Sequence, residues 1–409
     1  MKGLLNKLSS IVKSKYYFYA ICVLFGSCFF FVPFFQINRP IIVWFAIVIL
    51  LSLVLIYCFF YNLFKIDIIL ICFLLYAIIG IITTICNRLP IIWTMPLLQF
   101  LLATLYLFFR HDKNSFKAIP ISALIGLSLF VFVLIIKEHS GIINYFSHKN
   151  YYRLGSSVGD ENEIGMFLAF GACLSIYYSF FSPKLLFKIS SSFSALIFAF
   201  ASILTGSKEA VFSITIILVL IIFMFFGRKR WFISAIVVVV LVSAFIIMLS
   251  LPIFSSFSER FFSMISFMAG VSNDSSTSQR LVMFINGLEL FSRRPIFGFG
   301  IRAYYYYSCV GGGGWSHNTI SEVLCSYGIV GFFLFLVPFV FSIAPPFLKR
   351  RIDSIKLPLL IVVFLVLWFA TMSIDTLKIF PFVFSFACAS ISKLKKPFLK
   401  HNSFLKLKI

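Results

Sequence analysis

The stretch GGGGWSHNTISEVLCSYGIVGFF, from Gly311 to Phe333, sets a histidine directly before a long apolar segment. His317 titrates in the range that makes imidazole the usual proton acceptor near neutral pH. Asn318 follows it, and Glu322 lies one helical turn further along the same face. Ser316 or Asn318 is placed to cap the apolar segment, which would hold His317 on a rigid element at the water boundary. An interfacial histidine is also a common structural hydrogen-bonder, so its neighbours decide between the two readings. Gly311 to Gly314 predict a hinge or close-approach loop beneath Trp315.

Those neighbours are cations. Lys208 and Glu209 stand in TGSKEA between two apolar runs, where charge is expensive and faces a cavity or a partner; a neutral Lys208–Glu209 pair is the simpler alternative. Arg153 lies in YYRLGSSVGDENEIG, beside Asp160, Glu161 and Glu163. That acidic group either caps the next helix or binds a divalent cation, and capping is the simpler reading. Arg280 opens RLVMFINGLELFSRRP, which ends with Arg293 and Arg294, and Arg302 follows in IFGFGIRAYYYY. Several cations around one histidine suit a phosphorylated leaving group. Tyr304 to Tyr307 offer aromatic faces to a sugar ring, or else an ordinary membrane-interface belt. No His/Cys ligand cluster is present, so neither a metal nor another cofactor is expected.

These residues need elements to position them, and the composition says which kind. Of the 409 residues, 61% are hydrophobic and 12% charged, about half the charged share of a soluble domain. Apolar runs of about 20 residues recur along the chain, long enough to cross a bilayer. We read twelve spans, at 16–36, 40–60, 66–86, 91–109, 117–137, 163–182, 188–204, 209–226, 231–250, 318–342, 357–374 and 378–392. Lipid tolerates no open sheet edge, so the spans must be helices and the fold class is all-α, a polytopic integral membrane protein.

The formal net charge of +22 invites a nucleic-acid reading, but its placement excludes one. Lys65, Arg110, Lys184, Arg228 to Arg230, Lys349 to Arg351 and the tail from Lys393 fall in loops on one side if the twelve spans alternate. That is the positive-inside pattern, with both termini cytoplasmic. Lys2 to Lys15 precede a span without a small-residue cleavage site, which reads as a retained signal anchor. Eight of the nine cysteines lie in or at the ends of spans, so no structural disulfide is expected. The chain reads as one membrane domain, 1–409, with two outer segments long enough for chemistry. They are 138–162 and the larger 251–317, between spans nine and ten.

In the larger segment, Phe257, Phe261, Met264, Ile265 and Met268 share one helical face, which predicts a short helix on the membrane surface or over the span ends. A second amphipathic helix, with Arg280 in its first turn, presents Leu281, Phe284, Ile285, Leu288 and Phe291 and ends ahead of Pro295.

The order of TGSKEA, then RLVMFINGLELFSRRPIFGFG, then HNTISEVLCSYGIVGFFLF resembles the O-antigen ligase and polymerase superfamily over residues 150–340. The resemblance implies a periplasmic active site in the bacterial inner membrane and an undecaprenyl-diphosphate-linked oligosaccharide donor. His317 would be the general base, and Arg280, Lys208, Arg153 and Arg302 would bind the diphosphate, with Asn318 and Glu322 in support. Where the family has arginine this chain has Lys208, which keeps the charge and loses the bidentate fork, so more weight falls on Arg280. A base at the acceptor hydroxyl, with attack in line with the leaving diphosphate, gives metal-independent glycosyl transfer with inversion.

Polymerase and ligase share this donor and differ in acceptor, a second carrier-linked repeat unit or the lipid A core. The interval from Arg280 to His317 is compact for the superfamily, which favours the polymerase; ligase is the alternative. A polysaccharide flippase is the second alternative, but a transporter should carry charges deep in its spans, and here the polar mass lies in one loop. Membrane lipid is the other expected partner, and a chain-length regulator protein is a further candidate.

Overall fold

The computed structural model describes residues 2–35, 40–90, 94–111, 115–148, 152–226, 230–251, 254–270, 275–308, 310, 316–348, 356–371 and 383. Among them the chain forms sixteen helices and no strand. The first seven are α1 (Lys2–Val12), α2 (Lys15–Phe35), α3 (Pro40–Phe60), α4 (Ile68–Cys86), α5 (Thr94–His111), α6 (Ser115–Lys137) and α7 (His139–His148). Then come α8 (Glu161–Phe181), α9 (Leu185–Leu204), α10 (Lys208–Phe226) and α11 (Trp231–Ser250). The remainder are α12 (Ser255–Met268), α13 (Ser275–Arg293), α14 (Ala303–Tyr307), α15 (Thr319–Leu348) and α16 (Lys356–Thr371).

Each of the first eleven predicted spans coincides with one of these helices. Nine, namely α2, α3, α4, α6, α8, α9, α10, α11 and α15, are long and apolar enough to cross a membrane. Helix α5 is diluted by Gln99, Arg110 and His111, and α16 has 16 residues. The predicted span at 378–392 apart from Val383, Gly311 to Trp315 and Cys309 lie outside the described residues.

Burial sorts the helices into layers. Helix α8 is buried on every face from Glu163 to Ile176, so it runs through the centre of the bundle. Helix α11 fully buries only Ser234 and Leu249, so it lies at the periphery of the bundle. The main core joins α2, α3, α5, α6, α8 and α16, where Phe29, Phe108, Phe109, Phe167, Phe364 and Trp368 are fully enclosed.

The helix ends that carry polar residues meet at one end of the bundle. Leu154 N donates to the Leu204 carbonyl at 2.9 Å, tying the segment before α8 to the end of α9. Asn318 Nδ2 reaches the Ala370 carbonyl at the end of α16, and Ser258 Oγ reaches the Leu249 carbonyl at the end of α11.

Helix α15, read from sequence as one span, is broken at Gly328, whose φ of 64° and ψ of −167° are not helical. A break exposes backbone groups that must find partners inside a membrane. Here the residues between α13 and α14 supply them, lying alongside like a strand. Phe299 N and Gly300 N donate to the Cys325 and Ser326 carbonyls at 3.0 and 2.7 Å, while Ile329 N and Val330 N donate to the Pro295 and Ile296 carbonyls at 2.8 and 3.2 Å. On the other side Ile301 N donates to Thr84 Oγ1 of α4 at 2.8 Å.

Backbone this close leaves no room for side chains. A Cβ on Gly298 would stand 2.6 Å from the Ser326 carbonyl oxygen, one on Gly300 2.7 Å from Thr84 Cα, and one on Gly328 would strike the Ile296 carbonyl. The glycines of PIFGFG and SYGIVG therefore form one device, a strap threaded into a broken helix.

Two sequence expectations change here. Helix α13 starts at Ser275, which puts Arg280 in its second turn rather than its first. Its buried face is Met283, Gly287 and Leu290, packed on Ser321, Cys325 and Tyr304, whereas Leu281 and Ile285 of the predicted face are exposed. Helix α12 covers span ends, with Phe257 and Phe261 packed on Phe245, Leu249 and Val211, while Ile265 stays exposed.

Candidate active site

His317 is held by the residues on either side of it. Asn318 Oδ1 accepts from Ile320 N and Ser321 N at 2.9 and 3.2 Å, so Asn318 is the N-cap of α15. Glu322, 1% exposed, reaches back one turn and accepts from Ser316 N at 3.2 Å. Ser316 Oγ donates to the Asn318 carbonyl at 2.8 Å. This clasp forces His317 into the left-handed region at φ 51°. A non-glycine residue held there costs about 1 kcal/mol, and such strain gathers at functional sites.

The imidazole is half-buried, and its Nδ1, shielded from solvent, has no hydrogen-bond partner among the described residues. Burial lowers the His317 pKa below the ordinary range, the Arg280 charge lowers it further, and Asp160 opposes them. The neutral imidazole, able to accept a proton, is therefore favoured at neutral pH.

Arg280 of α13 forms an ion pair with Glu209 of α10. Burial lowers its pKa, Asp160 raises it, and Arg153 lowers it again, which places the two arginines, Asp160 and His317 within one electrostatic neighbourhood. Lys208, at the first residue of α10, is buried beside this pair. Glu209 is thus paired across the α10 mouth by a guanidinium that α13 brings in.

Arg153 is committed to structure. Its Nε donates to the Thr205 carbonyl at 2.8 Å, and its other nitrogens bind Glu161 at 3.1 Å and Asn162 at 2.9 Å. Asp160 is the N-cap of α8, accepting from Asn162 N and Glu163 N at 2.8 and 3.1 Å. Arg302 is the N-cap residue of α14, at φ 59°, with its guanidinium 4.6 Å over the Tyr305 ring. Tyr304 is fully buried against Leu290 and Cys325, so it presents no face to a sugar; Tyr305 and Tyr307 are exposed.

Two residues escaped the sequence reading. Arg260 of α12 donates to the Gly206 carbonyl at 2.8 Å, so the Thr205–Gly206 turn ahead of Lys208 is gripped by arginines from both sides. Glu138, at the end of α6 and 6% exposed, accepts from Tyr152 Oη, Gly155 N, Ser157 N and Ser157 Oγ. It organises the whole segment that carries Arg153 and Asp160, and together with burial it pushes the Tyr152 phenol upward. A lone carboxylate at the end of an apolar span was the available signal, since such a charge needs partners.

The cluster therefore joins a proton acceptor to guanidinium donors able to hold an oxyanion, on helix ends that meet. Among the described residues no group of three or more His, Cys, Asp or Glu side chains is placed to hold a metal ion. No curated protein matches the chain. A family model described as O-antigen ligase matches residues 193–336, from within α9 to within α15. The matched segment contains Lys208, Arg280, Arg302, His317, Asn318 and Glu322, whereas Arg153 and Asp160 lie before it. By that match, residues 193–336 of this multi-pass membrane protein are similar to the O-antigen ligase family.

Proposed function

We propose that the chain is an O-antigen polymerase of the bacterial inner membrane. It would join undecaprenyl-diphosphate-linked repeat units at the periplasmic face by metal-independent glycosyl transfer with inversion. The observation that carries the glycosyl-transfer chemistry is His317 itself: strained at φ 51°, with an unbonded Nδ1, beside Arg280. A solvent-shielded polar atom without a partner needs an explanation, and an incoming hydroxyl supplies one.

His317 takes the proton of the acceptor hydroxyl as its oxygen attacks the anomeric carbon and the bond to the diphosphate breaks. The negative charge moves onto the leaving diphosphate, where Arg280, with donors left beyond those used by Glu209, stabilises it. Lys208 adds a point charge at the mouth of α10. Arg153 and Arg260 hold the turn that sets Lys208 and Glu209. Asn318 and Glu322 hold the histidine.

The polymerase reading rests on the short interval between Arg280 and His317. A lipopolysaccharide gel from a strain lacking the gene tests it. Core capped by a single repeat unit is expected. Bare core with polymer retained on the lipid carrier would make the chain a ligase instead.

A further inference from the structure

Away from His317, at the far end of α13, the strap and α4 border an open cavity of about 630 Å3, within the size range of ligand pockets. One wall is a single helical face of α4, Ile79, Ile82, Thr83 and Cys86, and the other includes Ile296 and Phe297 of the strap. Ile82, Ile296 and Phe297 are each more than half exposed, so the groove is open and greasy. Its mouth is cationic. Arg294 hydrogen-bonds Asn87 and stands 5.0 Å over the Phe299 ring, while Arg293 and Arg88 lie exposed beside it. Among the described residues none of these three arginines has a carboxylate partner.

An apolar trough ending in unpaired guanidiniums is complementary to a long hydrocarbon carrying a phosphate head. Its position relative to the catalytic cluster identifies which lipid. Arg280 and Arg293 are separated by 13 residues of one continuous helix, about 20 Å at the helical rise. A single diphosphate cannot serve both ends. Joining two lipid-linked glycans needs two lipid sites, one with its diphosphate at the reacting centre and one with its diphosphate a sugar chain away from it.

We propose that the groove between α4 and the 294–298 strap binds the polyprenyl chain of the acceptor, with Arg294, Arg293 and Arg88 on its diphosphate. This rests on the polymerase reading above. The acceptor glycan then extends along α13 from Arg294 toward His317, where its far hydroxyl reacts. The strap that walls the groove is the segment that stabilises broken α15, so the groove and the His317 clasp share one support.

The test uses full-length protein in phosphatidylcholine nanodiscs and a diazirine-tagged polyprenyl diphosphate without sugar. Expected labelling falls on Ile79–Cys86 and the strap, is competed by untagged polyprenyl diphosphate, and drops about tenfold in Arg294→Gln, the loss of one charge-assisted contact. Ile82→Trp, which fills the trough without touching the charges, should remove the same label while His317-proximal labelling persists. Labelling of α4 that is insensitive to both variants, or absent, would overturn the proposal and assign the groove to bulk phospholipid. Labelling as expected in a chain whose deletion gives the ligase gel pattern would keep the site and overturn its acceptor role.

Discussion

Protonation of His317 is predicted to control the acid limb of activity. Burial and Arg280 both lower its pKa from the ordinary value of about 6.5, so the base form persists to lower pH and the limb should fall below that value. In Arg280→Gln the nearby positive charge is gone, the imidazolium is less disfavoured, and the limb should move to higher pH as the rate drops. A pH profile of glycan transfer in both proteins checks the direction. The residue types of this site were legible because histidine, arginine and a carboxylate at span ends have few other uses in so apolar a chain. Their pairing was not: Glu209 lies next to Lys208 in sequence, but its partner Arg280 arrives on another helix.

At the scale of elements, the strap in broken α15 makes Gly328 a sensitive position. Alanine there has to adopt φ 64°, costing about 1–3 kcal/mol, and also strikes the Ile296 carbonyl. Gly270, at φ 73° with nothing within 4 Å of where a Cβ would stand, is the control that isolates the backbone cost. Thermal unfolding in detergent should show Gly328→Ala losing clearly more than Gly270→Ala; equal losses would remove the strap from the account. Glu138 offers a second check. Glu138→Gln replaces one of the two oxygens that accept from the 152–157 segment by a donor, at about 1–3 kcal/mol, and should open the chain between α7 and α8 to protease. The helices themselves could be read from hydropathy, but the break could not, since SYGIVGFF continues an apolar run and the strap that completes it lies some thirty residues upstream. The buried face of α13 was misread for a related reason. Gly287 scores as no apolar residue, yet it is the position that lets α13 meet Ser321 closely.

For the whole molecule, the distribution of basic residues predicts orientation, and the meeting of helix ends predicts that one face carries all the chemistry. In a cysteine-free background, Ser292→Cys at the end of α13 should react with an impermeant maleimide applied to the periplasmic side, and Lys184→Cys between α8 and α9 should not. The reverse pattern would invert the topology. Hydropathy sufficed to locate the spans, because the membrane constrains helix length so strongly. Where α12 and α13 sit over the bundle depended on packing partners that periodicity does not name.

The central claim is that His317 is the base for transfer from a polyprenyl-diphosphate donor, and it can be measured directly. Purified protein in liposomes supplied with carrier-linked repeat units should build a ladder of longer carrier-linked glycans. His317→Ala, folded and equally abundant, should lose about 100-fold or more in rate, the scale of general base catalysis. A ladder formed by His317→Ala at the native rate would contradict the account.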